Sequence, residues 1–530
     1  MEKLSCGILV IGSGAAGLRA AIAAREAGAG EVWVVSKSPP GLGSCTILSG
    51  GALGVALGGS TREGHLTRTM ESGRGINQRN LVETFVSEAP DRIQELATWG
   101  MKMGVSRGYA MAQGAPPAFG REITRVLMER ARKTGVRFLS HLVVWKLMAD
   151  RDQGMGTLAY HALKGVWKRI LSRAVILASG GCGALYSRHD NPQRMTGDGY
   201  SLALGAGAKL RDMEFVQFYP LIAAEPGRPP VLIHPGVADR GTLMNDRGEN
   251  ILEKYYISER PAAARARDRL AQALFRETVE AGQQVYLDLT GASSKDPALD
   301  YLNAANWKYL ERTFQTNERP LRVAPAAHFM MGGICITPDG TTDVPGLFAA
   351  GEVTGGLHGA NRLGGNALSE CIVFGARAGM GAASWAHPHR RPMEDNRFAA
   401  MEAFVPRFGS GSSVPSPLRE FKESLRQVMW RHGGIFRERA SLTEGLHRLS
   451  QLEEELRDYC PKPEPLEVTR VLELRQALVT AMVILEAALR REETRGAHSR
   501  TDFPDQDEKW KGRQVVSLST DGQLQWSFAK

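Results

Sequence analysis

The stretch "GILVIGSGAAGLRAAIAAREAGAGEVWVVSK", residues 7–37, decides the fold. An apolar strand runs into Gly12-Ser13-Gly14-Ala15-Ala16-Gly17, an Ala-rich helix follows, and a second apolar strand closes the unit. Glycines at these spacings permit a tight turn, close approach of backbone to a pyrophosphate, and packing of helix on strand. The helix N-terminus then stabilises the negative charge. The unit predicts an α/β, Rossmann-type domain that holds a dinucleotide. A nicotinamide-binding unit would next show a carboxylate at the end of its second strand, to grip the ribose 2′-hydroxyl. Here Val34-Val35 is followed by Ser36-Lys37, which weakens that reading.

Two further strand-plus-glycine units lie at "SRAVILASGGCG" (172–183) and "GLFAAGEVTGG" (346–356). A segment with its own strands and helices separates them, so an α+β capping domain is expected at 216–329, inserted into a domain made of 1–215 and 330–400. From about 405 the pattern turns helical, at "SLRQVMWRHGG", "EGLHRLSQLEEELRDY" and "VTRVLELRQALVTAMVILEAALRREE". Pro461, Pro463 and Pro465 separate the last two stretches. A C-terminal helical domain is therefore expected at 405–500, with a linker at 408–417 and a polar docking tail at 501–530. No internal repeat is evident.

Composition narrows the function. The 530 residues carry 43% hydrophobic and 23% charged side chains, ordinary for a soluble protein with real cores. The 59 glycines fall in clusters, which suggests backbone close to a ligand. A net charge of +9 without a run of Lys/Arg reads as a mildly basic surface or a site that collects carboxylates, not as nucleic-acid binding. Six scattered cysteines without C-x-x-C argue against structural zinc, an iron–sulfur cluster or a disulfide framework in this chain. With neither a leader nor a membrane-length apolar run in the sequence, the expected location is cytoplasmic.

Beyond Ser36-Lys37 come Ser44-Cys45-Thr46, Gly50-Gly51, "NPQRMTGDGYSLALGAGAKLRDMEFVQF" (191–218), "LFAAGEVTGGLHGANRLGGNALSE" (347–370) and "RGAHSRTDFPDQDEKW" (495–510). In this order they resemble the flavoprotein subunits of succinate dehydrogenase and fumarate reductase, with L-aspartate oxidase a close relative. The resemblance spans essentially the whole chain and implies FAD. It implies that Asp198 contacts the flavin nucleotide, that Glu352 holds the ribose, and that Asn366, Ala367 and Leu368 bring backbone to the flavin ring. It also implies an iron–sulfur partner subunit, with membrane contact only through partners. One departure is Cys45, where membrane-complex members carry the histidine that bonds covalently to the flavin. Non-covalent FAD is expected, with a lowered potential that favours substrate reduction.

In the resembled family, interconversion of C=C and CH–CH beside a carboxylate needs hydride transfer at flavin N5, a proton donor, and cations that hold the carboxylate. Arg267, in "ARARDRLAQAL", matches the proton donor. His328 in "APAAHFMMGGI" and Arg362 in "GANRLGG" match the carboxylate ligands. The other half of the pocket departs. The family's "QFHPTG" is "QFYPLI" here, which puts Tyr219 for histidine and Leu221 for threonine. The family's "TEGxRG" is replaced by a loop in which His234, Pro235 and Ala238 stand for the threonine, glutamate and arginine, or in which a shortened loop brings Arg240 into the proton relay. Tyr219 and His234 still offer donors of different shape and charge, so the reaction type is expected to survive while the substrate's far end changes. L-Aspartate oxidase and an electron-relay subunit with a degenerate pocket remain alternatives. An RNA-binding flavoprotein is disfavoured by the intact Arg267, His328 and Arg362.

Overall fold

The computed structural model describes residues 1–114, 119–150, 154–292, 299–386, 395–406 and 417–530. The linker expected at 408–417 lies outside the described residues except for Pro417.

Strand Glu2–Ile11 is central to the main sheet. Val32–Val35 pairs with it in parallel, and Arg137–Leu139 extends that side. Val166–Leu177 lies on its other side, also parallel. This long strand serves two further partners. Val166–Ser172 pairs antiparallel with Gly154–His161, which continues to Leu142–Asp150, while Val175–Leu177 pairs in parallel with Leu347–Ala349. The strand expected from Ser172 therefore starts earlier, because the meander recruits its first half.

The register fixes where ligands go. Ile11 stands opposite Val35 on one side and Leu177 on the other, and Leu177 also faces Ala349. All three glycine turns, and Ser36-Lys37, thus leave the sheet at one carboxyl edge, where open α/β sheets bind ligands. Helix Ala15–Glu26 returns from that edge against helix Asn366–Trp385. Cβ atoms at Gly375 and Gly379 would come within 2.7 and 2.2 Å of Ala16 O and Ala20 O, so the glycines let two helices touch backbone to backbone. Gly12, with φ 115°, is a position only glycine serves, since a Cβ would lie 2.1 Å from Ala178 O. Gly12→Ala is expected to yield protein without bound flavin or without a fold, checked by the flavin absorbance of the purified variant.

A second sheet is antiparallel throughout, in the order Val231–Leu232, Val216–Ala223, Leu321–Met330, Val285–Asp288, Thr242–Asn245. It has a separate core with Leu270, Trp307, Leu310 and Phe314. Helices Leu418–His432, Arg439–Asp458 and Pro465–Arg490 follow, and Pro465 opens the last of them, where its missing N–H costs nothing. The tail is a hairpin, Arg513–Leu518 with Leu524–Ala529, that pairs onto Leu210–Arg211. Before it, Arg491 and Arg495 share the buried Glu493, and Arg491 also pairs with the fully buried Glu214 just ahead of the second sheet. Arg491, with Arg495 at the start of "RGAHSR", thereby ties the approach to the hairpin to the segment that leads into the second sheet.

Candidate active site

The cleft at the carboxyl edge is shaped for a dinucleotide. Besides Gly12, Gly17 is confined, because a Cβ there would lie 2.0 Å from Gly12 O. Neither helix Ala15–Glu26 nor helix Asn366–Trp385 has a side-chain cap, so first-turn amides at Ala16, Gly17, Ala367 and Leu368 are available to electronegative atoms. The walls hold this edge in place. Ser13 Oγ accepts from the Gly41 N–H (3.1 Å), and Thr46 Oγ1 from the Ala15 N–H (3.0 Å). Ser44 caps the short helix Cys45–Leu48, and Ser36 Oγ donates to Ser38 O (2.6 Å). Lys37 reaches Asp198 at 3.1 Å and Glu473 at 3.5 Å. Asn366 is fully buried, bonded to His65 Nε2 (2.9 Å) and Thr69 Oγ1 (3.0 Å), so its side chain fixes the helix start.

Glu352 lies against Gly181, where a Cβ would fall 2.1 Å from its Oε1, and it accepts from the Met330 N–H at 3.1 Å. Burial raises its carboxyl to about 7. A ligand hydroxyl donated to that carboxylate would return it to the ionised form. Cys45 Sγ lies 3.5 Å from Asn191 Oδ1, and burial, with Glu352 and Asp190 nearby, holds it as a thiol.

On the other side of the cleft two guanidiniums meet on one neutral oxygen. Arg267 donates to Gln217 Oε1 at 3.1 Å and Arg362 donates to the same atom at 3.0 Å. Gln217 is fully buried, and its Nε2 is spent on Asn361 Oδ1 (2.6 Å) and Arg362 O (3.1 Å), which sets the orientation of the amide. Burial and the charge of Arg267 lower Arg362 to about 9. Arg362 lies 4.4 Å over the Phe329 ring, its Nε has no acceptor, and among the described residues no carboxylate forms an ion pair with either arginine. Such a pair of cations is an anion site.

His328 faces them across Tyr219, whose ring is 5.4 Å from the imidazole and 5.4 Å from the Arg267 guanidinium. Asp190 Oδ2, 2.7 Å from His328 Nδ1, accepts a hydrogen bond from that nitrogen and leaves Nε2 for a ligand. The rebuilt loop is less polar than its composition implies. Tyr219 donates its hydroxyl to Ile233 O at 2.8 Å, and burial raises the phenol. His234 is kept neutral, because burial lowers it to about 4. Its Nε2 lies 3.0 Å from where a Gly50 Cβ would stand, while Gly51, at φ 73°, packs on Phe119. Arg240 donates to Gly236 O (3.0 Å) on the short helix just before it, Pro235–Ala238.

The structure thus gathers Arg267, His328, Arg362 and Tyr219 around Gln217, and places His234 by Gly50 on the side of the dinucleotide edge. Sequence reasoning passed over Gln217, Asp190, Asn361 and Asp268. Gln217 stands two residues before Tyr219, on the same face of a strand, and that spacing was the available signal. Asn361 Nδ2 donates to Asp268 Oδ2 (2.8 Å), which links the loop of Arg362 to the helix that begins at Arg267.

Comparison with known proteins settles the family. A model described as an FAD binding domain matches residues 7–368, and one described as the fumarate reductase flavoprotein C-terminus matches 422–528. The chain belongs to the fumarate reductase and succinate dehydrogenase flavoprotein family. It is an FAD-dependent oxidoreductase. Among its relatives, a fumarate reductase (CoM/CoB) subunit of Methanothermobacter marburgensis is 33% identical, with 96% of each chain covered. L-Aspartate oxidase of Bacillus subtilis is 31% identical over 96% of this chain and 93% of its own. The E. coli quinol fumarate reductase FrdA superposes with a TM-score of 0.88 at 26% identity, covering 100% of this chain and 97% of that one. FAD fits the uncapped helix starts, the glycine cradle and Glu352 of the cofactor edge.

Proposed function

We propose that this flavoprotein interconverts a C=C and a CH–CH bond beside a carboxylate, with 1–215 and 330–400 holding FAD and 216–329 closing the substrate site as a cap. The observation that carries this reading is the convergence of Arg267 and Arg362 on Gln217 Oε1 without a carboxylate partner. FAD, when bound, supplies the two-electron chemistry. The chain supplies the rest. Arg362 and the Nε2 of His328 hold the substrate carboxylate, which displaces the repulsion of two cations by an attraction. Arg267 gives a proton to the neighbouring carbon. Free guanidinium is a very poor acid, but loss of this proton relieves the crowding of two cations on one oxygen as negative charge grows on the substrate. Gln217 and Asp190 hold the donors in register.

Electrons reach or leave the site through a separate iron–sulfur protein, which also accounts for any membrane contact. The relatives include chains named as subunits, among the described residues no group of His, Cys, Asp or Glu is placed to hold a metal ion, and no helix among them is long and apolar enough to cross a membrane. FAD is held non-covalently, because position 45 carries a half-buried cysteine held as a thiol and not a histidine. Acid precipitation of the purified protein should release all of its flavin to the supernatant. Flavin retained on a Cys45 peptide would contradict this.

The raised carboxyl of Glu352 adds a pH dependence. If a ribose hydroxyl donates to it, binding favours the ionised form, so below about pH 7 binding FAD must release a proton. FAD affinity of the apoprotein should rise with pH by up to about tenfold per unit below that point and level off above it. Reconstitution titrations on both sides of neutral pH measure this, and a flat profile would remove Glu352 from the ribose. The reaction itself is tested with a reduced dye as donor and a panel of mono- and dicarboxylic 2-enoates. Absence of turnover on every member would leave the chain as an electron-relay protein.

A further inference from the structure

A cavity of about 360 Å³ lies between strand Leu142–Asp150, helix Asp198–Gly205 and the paired helices Arg439–Asp458 and Pro465–Arg490. No residue assigned above to FAD or substrate lines it. One wall is a β-bulge. Val144 pairs with Ala159 and Lys146 with Leu158, so Trp145 is an extra residue in the strand. Bulges re-aim side chains, and here Trp145, Lys146 and Leu147 line the cavity in succession, where regular alternation would turn every second residue away. The indole N–H donates to Phe404 O at 2.8 Å, which holds the ring in place.

The charges in this wall are unbalanced. Burial alone lowers the ammonium of Lys146, whose nearest charge-stabilising neighbours are the Trp145 and Phe404 rings at 5.1 and 5.8 Å. Arg475 is also lowered by burial, and it donates to Leu456 O at 3.2 Å. Among the described residues neither cation forms an ion pair. Glu453 is the sole carboxylate of the lining and stands 4.0 Å from a third cation, Arg457. Half-buried cations without counter-charges are costly unless a ligand brings the anion. Gln476 adds an independent demand. It is 2% exposed, its Nε2 donates to Val144 O at 3.0 Å, and its Oε1 is buried without a donor. Orphaned buried acceptors are uncommon and call for a partner.

We propose that this cavity binds a small organic phosphate carrying a planar, amino-substituted ring, the chemistry of an adenine or cytosine nucleotide. The phosphate neutralises Lys146 and Arg475, the ring lies along Trp145, and the exocyclic amine donates to Gln476 Oε1. The two uncompensated cations and the orphaned oxygen of Gln476 then each have a partner, and a bare inorganic anion would satisfy only the cations.

The test uses the FAD-loaded full chain, so that the cofactor cleft is already filled. Calorimetric titration with adenosine monophosphate should give one site per chain. Inosine monophosphate, which lacks the amine, should bind about five- to tenfold more weakly, and ribose 5-phosphate more weakly again. The double variant Lys146→Gln/Arg475→Gln should lose at least about tenfold in adenosine monophosphate affinity. Arg475→Gln alone should show a loss in the same direction if the double variant does not fold. The proposal is overturned if adenosine monophosphate does not bind, if inorganic phosphate binds as well as the nucleotide, or if these variants bind it unchanged.

Discussion

Replacing Arg267 by Gln is expected to lower kcat on the order of 10³–10⁴-fold while the variant keeps its full complement of FAD. The size of the effect follows from the role. General acids contribute to the transition state and little to ground-state binding, so the loss should fall on kcat more than on KM. FAD content is expected to survive because Arg267 bonds to Gln217 Oε1 and Ala263 O, faces the Tyr219 ring, and approaches the cofactor edge only beside Gly364, with no hydrogen bond to the glycine turns. Arg362→Gln is the informative contrast. Arg362 donates to the same Gln217 oxygen, but its assigned task is to hold the carboxylate, so its loss should raise KM as well as depress kcat. Stopped-flow reduction and steady-state assays on both variants, with flavin content measured beside them, separate the two roles. Equal effects on kcat and KM in both variants would mean that the two arginines act together as one anion clamp and that the proton comes from elsewhere.

The cofactor half of this site is easy to read from sequence and the substrate half hard, for a physical reason. Gly12–Gly17 and the strand before it are local features, and their backbone demands can be stated without knowing any distant neighbour. Even the direction of the edge follows once three apolar strands are each seen to end in glycines. The substrate half is built from long-range pairs. Gln217 meets Arg362 at a separation of 145 residues, and His328 meets Asp190 at 138. Asp190 does not signal its task in its own surroundings, and Gln217 does so only through its two-residue spacing from Tyr219. The same limit explains the change at Tyr219. Its side chain reads as a spare hydrogen-bond donor until the fold places Ile233 O in front of it. The strand from Val166 to Leu177 was legible only in its second half, because the first half owes its conformation to the antiparallel partner Gly154–His161.

That committed tyrosine leads to the second large effect, a strong preference against fumarate. The expected kcat/KM for a 2-enoate with an uncharged far end exceeds that for fumarate by about 10²–10⁴-fold. In the proposed reading the near carboxylate has Arg362 and His328. On the far side Tyr219 commits its O–H to a hydrogen bond with Ile233 O, His234 is neutral because burial holds it at about 4, and Pro235 has no N–H to offer. Arg240, the nearest cation in the loop by sequence, directs its guanidinium to Gly236 O. The one cation beside this wall is Arg267, 5.4 Å from the Tyr219 ring and assigned to the proton, so a second carboxylate would be desolvated with no cation of its own, and an unpaired buried charge costs about 3–5 kcal/mol. An alkyl or aryl group loses nothing there and gains contact with the Tyr219 ring. Tyr219→Phe should leave the preference intact, since the hydroxyl faces backbone and not substrate, and should cost about 0.5–1.5 kcal/mol of stability through the lost bond to Ile233 O. Tyr219→His with Leu221→Thr should instead shift the ranking toward fumarate, because it restores a donor to the wall. Steady-state kinetics on matched mono- and dicarboxylic enoates decide the matter, and fumarate as the best substrate by a wide margin would sink the neutral wall. In that outcome a cation must reach the far carboxylate after all, and Arg240, swung away from Gly236 O, is the residue within this loop that carries one.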